Sequence, residues 1–154
     1  MTGKEVLLYL HQLPQNVIGW CLTRKPKRQC KTIANDGEEV NVYFTSNVFG
    51  AGVSLGNYVV LDFANYYILS THPTTRAGKE VYLTTVSHEH GHQKQSMYLG
   101  WLYLLVIGLP SALGNIIDRV FHKRWYVNKR LKWYYSKPWE RWADKLGNVN
   151  RGYL

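Results

Sequence analysis

Val86-Ser87-His88-Glu89-His90-Gly91-His92-Gln93 is the stretch on which the reading of this chain turns. It contains His-Glu-x-x-His, a spacing that binds a metal when it falls on a helix. His88 and His92 are then one turn apart on the same face. Two imidazoles there can hold one zinc ion and leave positions for another ligand and a water. Glu89 sits beside that face, within reach of a proton on an activated water. His90 lies about 160° around the helix from His88 and is not counted as a ligand. So short a pattern also arises by chance on surface helices, so the rest of the chain must supply the remaining donor.

At 154 residues the chain reads as one domain, 1–154, with 1–35 as an N-terminal extension. A hydrophobic content of 45% excludes a disordered chain. The formal net charge of +9 points to acidic partners: nucleic acid, anionic lipid or acidic protein. Cys21 and Cys30 are the only cysteines, which allows one disulfide or two free thiols. Glu5 and the lack of an A-x-A-like site argue against a cleaved signal peptide. That leaves a cytoplasmic protein or one delivered by another system.

The chain ahead of the motif is strand-rich. Residues 6–22 are apolar, interrupted at His11, Gln12, Pro14 and Gly19, and read as a short helix or strand followed by a turn. Arg24-Lys25-Pro26-Lys27-Arg28 reads as a solvated basic loop. Asn35-Asp36-Gly37 signals a turn, and Val40-Asn41-Val42-Tyr43-Phe44 a strand. The glycines of residues 50–57 fit neither G-x-G-x-x-G nor a Gly-Lys-Ser/Thr loop, so they read as tight turns between strands. Tyr58-Val59-Val60-Leu61 and Tyr66-Tyr67-Ile68-Leu69 read as strands, residues 71–79 as a polar loop, and residues 80–84 as one more strand. The metal helix would then start near Thr85 or Ser87.

Residues 95–117 carry no charge, and Lys94 and Arg119 flank them. The span is long enough for a membrane helix. Gly108-Leu109-Pro110-Ser111 should break it past its middle, and two short apolar pieces pack more often as a buried helical hairpin. Membrane association is therefore not the favoured reading. Between residues 119 and 137 the chain is basic and aromatic: Arg119, Lys123, Arg124, Lys129, Arg130, Lys132 and Lys137 alternate with Trp125, Tyr126, Trp133, Tyr134 and Tyr135. This suits an anionic partner, nucleic acid or lipid headgroups. An amphipathic helix with aromatics inward and cations outward explains it more simply. Last comes Ser136-Lys137-Pro138-Trp139-Glu140-Arg141-Trp142-Ala143-Asp144-Lys145-Leu146-Gly147, a helix of about ten residues with Ser136 as N-cap, Pro138 in the first turn and Gly147 after its end.

The third ligand distinguishes the known zincin classes. A metzincin would carry Gly and His three and six residues past His92, where this chain has Gln95 and Tyr98. A thermolysin-like Asn-Glu-x-x-Asp is approached by Asn115-Ile116-Ile117-Asp118, which is one residue short and lacks the Glu. Glu140-Arg141-Trp142-Ala143-Asp144 matches Glu-x-x-Ala-Asp, with Glu140 and Asp144 on one helix face. This pairing resembles the gluzincins, in particular the group with the heat-shock membrane proteases and the CAAX-processing proteases. The resemblance implies that Glu140 is the third zinc ligand, that Asp144 orients His88, and that Ala143 allows close helix approach.

Residues 50–150 are also similar to small zincin-like domains of Rhs-type bacterial toxins and of uncharacterised bacterial proteins. The matching features are Leu55-Gly56-Asn57-Tyr58, the motif with Gln95-Ser96, Leu99-Gly100 through Tyr103-Leu104, Gly108-Leu109-Pro110-Ser111, and residues 139–147. Residues 1–49 show no toxin repeat, and residues 119–137 are unusually basic.

The expectation is thus an α+β fold: a small antiparallel sheet, a metal helix, an apolar helical connector and a C-terminal ligand helix. The activity implied is zinc-dependent peptide hydrolysis, of a toxin or effector type, on a peptide or protein substrate. Glu89 would be the general base, with Tyr126, Tyr134, Tyr135, His72 or His122 stabilising the oxyanion. Asp118 and His122 are the next candidates for third ligand. Against this stand a basic nucleic-acid- or membrane-binding protein with a structural metal, and a zincin that binds zinc but cleaves nothing.

Overall fold

A computed structural model describes residues 2–46, 48, 52–63 and 76–152. It has the expected α+β class: a small sheet in the N-terminal half and helices after it. The expected strand at residues 66–69, His72, and most of the expected loop at 71–79 lie outside the described residues.

Two helices open the chain, α1 (Gly3–His11) and α2 (Leu13–Thr23), where a helix or strand and a turn were expected. Thr2 and Glu5 form a reciprocal capping box at the start of α1. Gln12 breaks the run, and Pro14 falls in the first turn of α2, where its missing N–H costs nothing.

The sheet follows: β1 (Arg28–Ile33), β2 (Glu39–Thr45), β3 (Gly52–Leu55) and β4 (Tyr58–Asp62), in the order β1-β2-β4-β3. The expected sheet was antiparallel; this one is mixed. β1 pairs antiparallel with β2 and β3 with β4, but β4 lies parallel to β2. The chain leaves β2, skips one strand position to make β3 at the edge, turns at Gly56 with φ +60, and returns as β4 in between. β4 is covered on both faces, by α2 on one and the motif helix on the other. That is why Val59, Val60 and Leu61 are all buried and why the strand reads as an unbroken apolar run.

α3 runs from Arg76 to Leu99. The strand expected at residues 80–84 is its second turn, and the helix begins well before Thr85. Val81, Thr84 and Thr85 favour strands locally, but Tyr82 and Val86, one turn apart, both join the core with Val42, Phe44, Val59 and Leu61. Packing outweighs propensity here. The Asn35–Gly37 turn is tied to this helix: the Asn35 amide N–H donates to Ser87 Oγ, and Lys94 Nζ bonds both Asp36 and Glu38. α3 stops at Gly100, φ +53, whose carbonyl accepts from Gln15 Nε2 at 2.7 Å.

The apolar span is broken at Gly100 and not at the expected Gly108–Ser111, and past that break it is mostly exposed where a buried pair was expected. A 3₁₀ turn (Gly100–Leu102) leads into a π-helical turn (Leu104–Gly108) and then α4 (Leu109–Phe121). The wide π turn accommodates Pro110, which sits at the start of α4's own ladder. Leu104–Phe121 is long and apolar enough to cross a membrane by length and composition, and only 11% of it is buried.

α5 (Val127–Tyr135) and α6 (Pro138–Leu146) complete the fold. Ser136 does not cap α6. It ends α5, donating its hydroxyl to the Trp133 carbonyl, and Lys137 takes the N-cap position without a side-chain bond. Gly147 has an ordinary φ of −86; the left-handed residue is Asn148. Gly147 matters for proximity, since a Cβ there would collide with the Ser87 carbonyl. Cys21 and Cys30 are both free thiols.

Candidate metal centre

α3 and α6 meet at residues without side-chain bulk. Gly91 faces Ala143 so closely that a Cβ would overlap the Ala143 carbonyl. This brings the two histidines of α3 onto the acidic face of α6. His88 Nε2 lies 3.0 Å and His92 Nε2 3.3 Å from the same atom, Glu140 Oε2. The ligand atoms of His88, His92 and Glu140 all lie within 4.8 Å of one another, and the group could hold a metal ion.

The rings are fixed from behind. His88 Nδ1 is 2.7 Å from Asp144 Oδ1 and His92 Nδ1 is 2.7 Å from Gln95 Oε1. Gln95 Nε2 donates to the Trp139 carbonyl, which can only accept, so the amide oxygen must face His92. Arg151 holds Asp144 through two charge-assisted bonds of 2.7 and 2.9 Å. With an acceptor on each Nδ1, one proton of each ring is held there, and Nε2 is the nitrogen that faces Glu140, as a donor to the carboxylate or, once deprotonated, as a lone pair for a metal.

Glu140 is fully buried. Burial pushes its carboxyl up, but hydrogen bonds from His88 and His92 prevail and hold it far below the ordinary range. Burial pulls His88 down, yet its bonds to Asp144 and Glu140 raise it to about 9. A buried anion between two imidazoles demands positive charge, and a divalent cation meets that demand with two nitrogens and one carboxylate oxygen. Glu140 Oε1 is engaged separately, accepting from Ser111 Oγ at 2.7 Å.

Glu89 is buried on the cavity side of the same helix. Burial raises its carboxyl, against the pull of His88 and His92. A cavity of about 720 Å³ opens over Glu89, His88 and His92. β3 forms one wall, Leu104, Leu109 and Ser111 another, and Asp118 and Arg130 stand at its far end. Gly52 brings β3 close: a Cβ there would lie 3.0 Å from Glu89 Oε1.

Of the oxyanion candidates, Tyr134 and Tyr135 line this cavity. Tyr134 OH is bonded to Ser111 and Asn115, and Tyr135 stands edge-on to His88 at 5.1 Å. Tyr126 is 89% exposed and His122 is stacked on Trp125 at 3.8 Å, neither on the cavity wall. Asp118 is held by Arg130 at 2.6 Å, so it is not the third donor. His90 points away from the centre, as expected, and bonds Glu38 at 3.1 Å. Asp36, Glu38 and His90 are also close enough for an ion, but Lys94 already supplies the positive charge between the carboxylates.

The sequence reading gave no role to Gln95, Ser111, Arg151 or Tyr103. Gln95 follows His92 by three residues, a helical-face spacing that could have marked it. Ser111, Arg151 and Tyr103, which donates to the Ser54 carbonyl across the cavity wall, carry no local signal. Comparison of the chain with protein families, curated proteins and solved structures finds no match.

Proposed function

We propose that this protein is a zinc-dependent metallopeptidase of the gluzincin type, with His88, His92 and Glu140 as ligands and Glu89 as general base. One observation carries the reading: both imidazole Nε2 atoms face a single oxygen of a buried carboxylate while both Nδ1 atoms are held by acceptors. Zinc bound there supplies Lewis-acid polarisation of the scissile carbonyl and lowers the pKa of water. Glu89, with its carboxyl raised by burial, accepts the proton of the attacking water and delivers it to the leaving amine. Of the two tyrosines on the cavity wall, Tyr135 is the candidate donor to a developing oxyanion, because the Tyr134 proton is spent on Ser111 Oγ, whose own proton goes to Glu140. Among the described residues β3 is a sheet edge beside the cavity, against which an extended peptide would align.

The test is metal analysis of protein purified without chelator, followed by hydrolysis of a quenched-fluorescence peptide library. The reading expects one zinc per chain and cleavage abolished by chelator and restored by zinc. Protein that takes up no zinc, or zinc-loaded protein that cleaves no member of the library, overturns it.

A further inference from the structure

The polarity of the N-terminal and connector helices is inside out. Gln12, Gln15 and Asn16 have no exposed surface, whereas Leu7 is 70% exposed and Val17 and Ile18 also face outward. The buried polar groups bond with one another, Gln15 Oε1 excepted: Ser96 Oγ donates to Gln12 Oε1, and Gln15 Nε2 reaches Ser96 and the Gly100 carbonyl. Trp101 Nε1 donates to the Leu10 carbonyl at 3.0 Å, so the connector begins against α1. Leu22 of α2 and Leu104 and Leu109 of the connector border the same cavity. α1 and α2 thus meet the start of the connector. On the connector Trp101, Leu105 and Phe121 are 62%, 67% and 72% exposed. An apolar helix so little buried marks a contact surface.

Cations rim it. Arg24 and Lys25 follow α2, and Lys123 and Arg124 follow α4, all exposed. No acidic residue occurs between 95 and 117. We propose that this face seats in the interfacial region of an anionic lipid bilayer, with these four cations at the headgroups.

The same helix shows why it lies on the membrane and does not cross it. Its other side holds Ser111 on Glu140, Gly114 against Tyr134, and Asp118 on Arg130. A helix half apolar and half committed to a folded domain lies in the membrane plane. Nucleic acid is the poorer partner. Bases bind by stacking on open rings, yet Lys129 and Lys137 cover Trp125 and Trp133 at 4.0 Å, and His122 stacks on Trp125 and meets Trp133 edge-on. A second copy of the chain is poorer too, because a face-to-face dimer would bring two cationic rims together.

The experiment is flotation of the full chain with phosphatidylcholine vesicles, with and without phosphatidylglycerol. The chain should float with the anionic vesicles and much less with the neutral ones. The paired substitution Leu105→Glu and Phe121→Glu, at exposed sites, should leave the circular-dichroism spectrum unchanged and abolish flotation. Lys123→Glu with Arg124→Glu should weaken anionic-vesicle binding by about thirtyfold or more. No flotation with either vesicle overturns the proposal. So does flotation indifferent to Leu105→Glu and Phe121→Glu. An oligonucleotide bound in preference to vesicles, or a stable dimer that the same pair dissociates, assigns the face to another partner and overturns it as well.

Discussion

His88 Nδ1 and Asp144 Oδ1 lie 2.7 Å apart, across 56 residues of sequence and between two helices. This contact fixes which nitrogen of His88 faces Glu140. It also makes Asp144 a positioning residue, since its own charge is taken up by Arg151 at 2.7 Å.

The two acids of α6 should therefore differ in kind. Glu140→Ala removes a ligand and should abolish tight zinc binding, because two histidines alone leave the ion under-coordinated. Asp144→Ala should keep the zinc and weaken it by roughly 10–100-fold. Gln95→Ala should act like Asp144→Ala through His92. Competitive zinc titration separates the three; equal behaviour of Glu140→Ala and Asp144→Ala would contradict the division.

Glu89→Gln should retain zinc and fold while peptide cleavage falls by about 10²–10⁴-fold, the usual share of a general base. Turnover measured beside metal content is decisive, and unchanged turnover would remove Glu89 from the chemistry.

Gly91→Ala tests the helix contact. By propensity alone, Ala in a helix interior stabilises by roughly 1 kcal/mol over Gly. Here the added Cβ overlaps the Ala143 carbonyl, and overpacking of this kind costs about 1–3 kcal/mol. The expected net result is a lower Tm together with weaker zinc binding. Gly3→Ala, which meets open space, should leave both unchanged or raise Tm slightly. A Gly91→Ala variant more stable than wild type would show that α3 and α6 are not so close.

The Lys94 cluster has a pH window. Burial pushes Asp36 up, but the Lys94 hydrogen bond and the neighbouring charges leave it below its ordinary value. The Lys94 hydrogen bond lowers Glu38 against a smaller effect of burial. Burial pulls Lys94 down, and its bonds to the two carboxylates raise it overall. Depressed carboxyls contribute stability above their unfolded pKa and lose it as pH falls through the folded one. A raised lysine contributes below its unfolded pKa and loses it as pH rises through the folded one. The stability difference between wild type and Lys94→Met should thus be largest near neutral pH and shrink towards acid. Denaturant midpoints across pH measure it, and a difference that grows in acid would be the wrong sign.

The candidate centre was legible because its two halves are local patterns. His88, Glu89 and His92 occupy one turn of helix, and Glu140 and Asp144 another. Ser111 and Arg151 were not legible, since each reaches the centre only through tertiary placement. In the fold, β2 and β4 carry apolar runs that announce them. β1 does not: Arg28-Gln29-Cys30-Lys31-Thr32-Ile33 is a sheet edge with no fully buried residue, and its pattern says little. Residues 80–84 misled because Val81 and Thr84 favour a strand locally, while the core contacts are made by Tyr82 and Val86 at helical spacing. The connector misled because apolar was read as interior, and in this chain Gln15 is interior while Leu105 is not.

The π turn at Leu104–Gly108 sets the angular phase of everything after it. Each residue advances a helix by about 100°, and a π turn holds one residue more than the regular ladder needs. Deleting one residue there would restore an α ladder and swing α4 by that angle. Ser111 would leave Glu140, and Gly114 would no longer face Tyr134. Length in this segment is thus as constrained as the identity of the ligands, although no residue of the turn touches the metal group. Insertions and deletions, neutral in most connectors, would here act as mutations of the candidate metal centre.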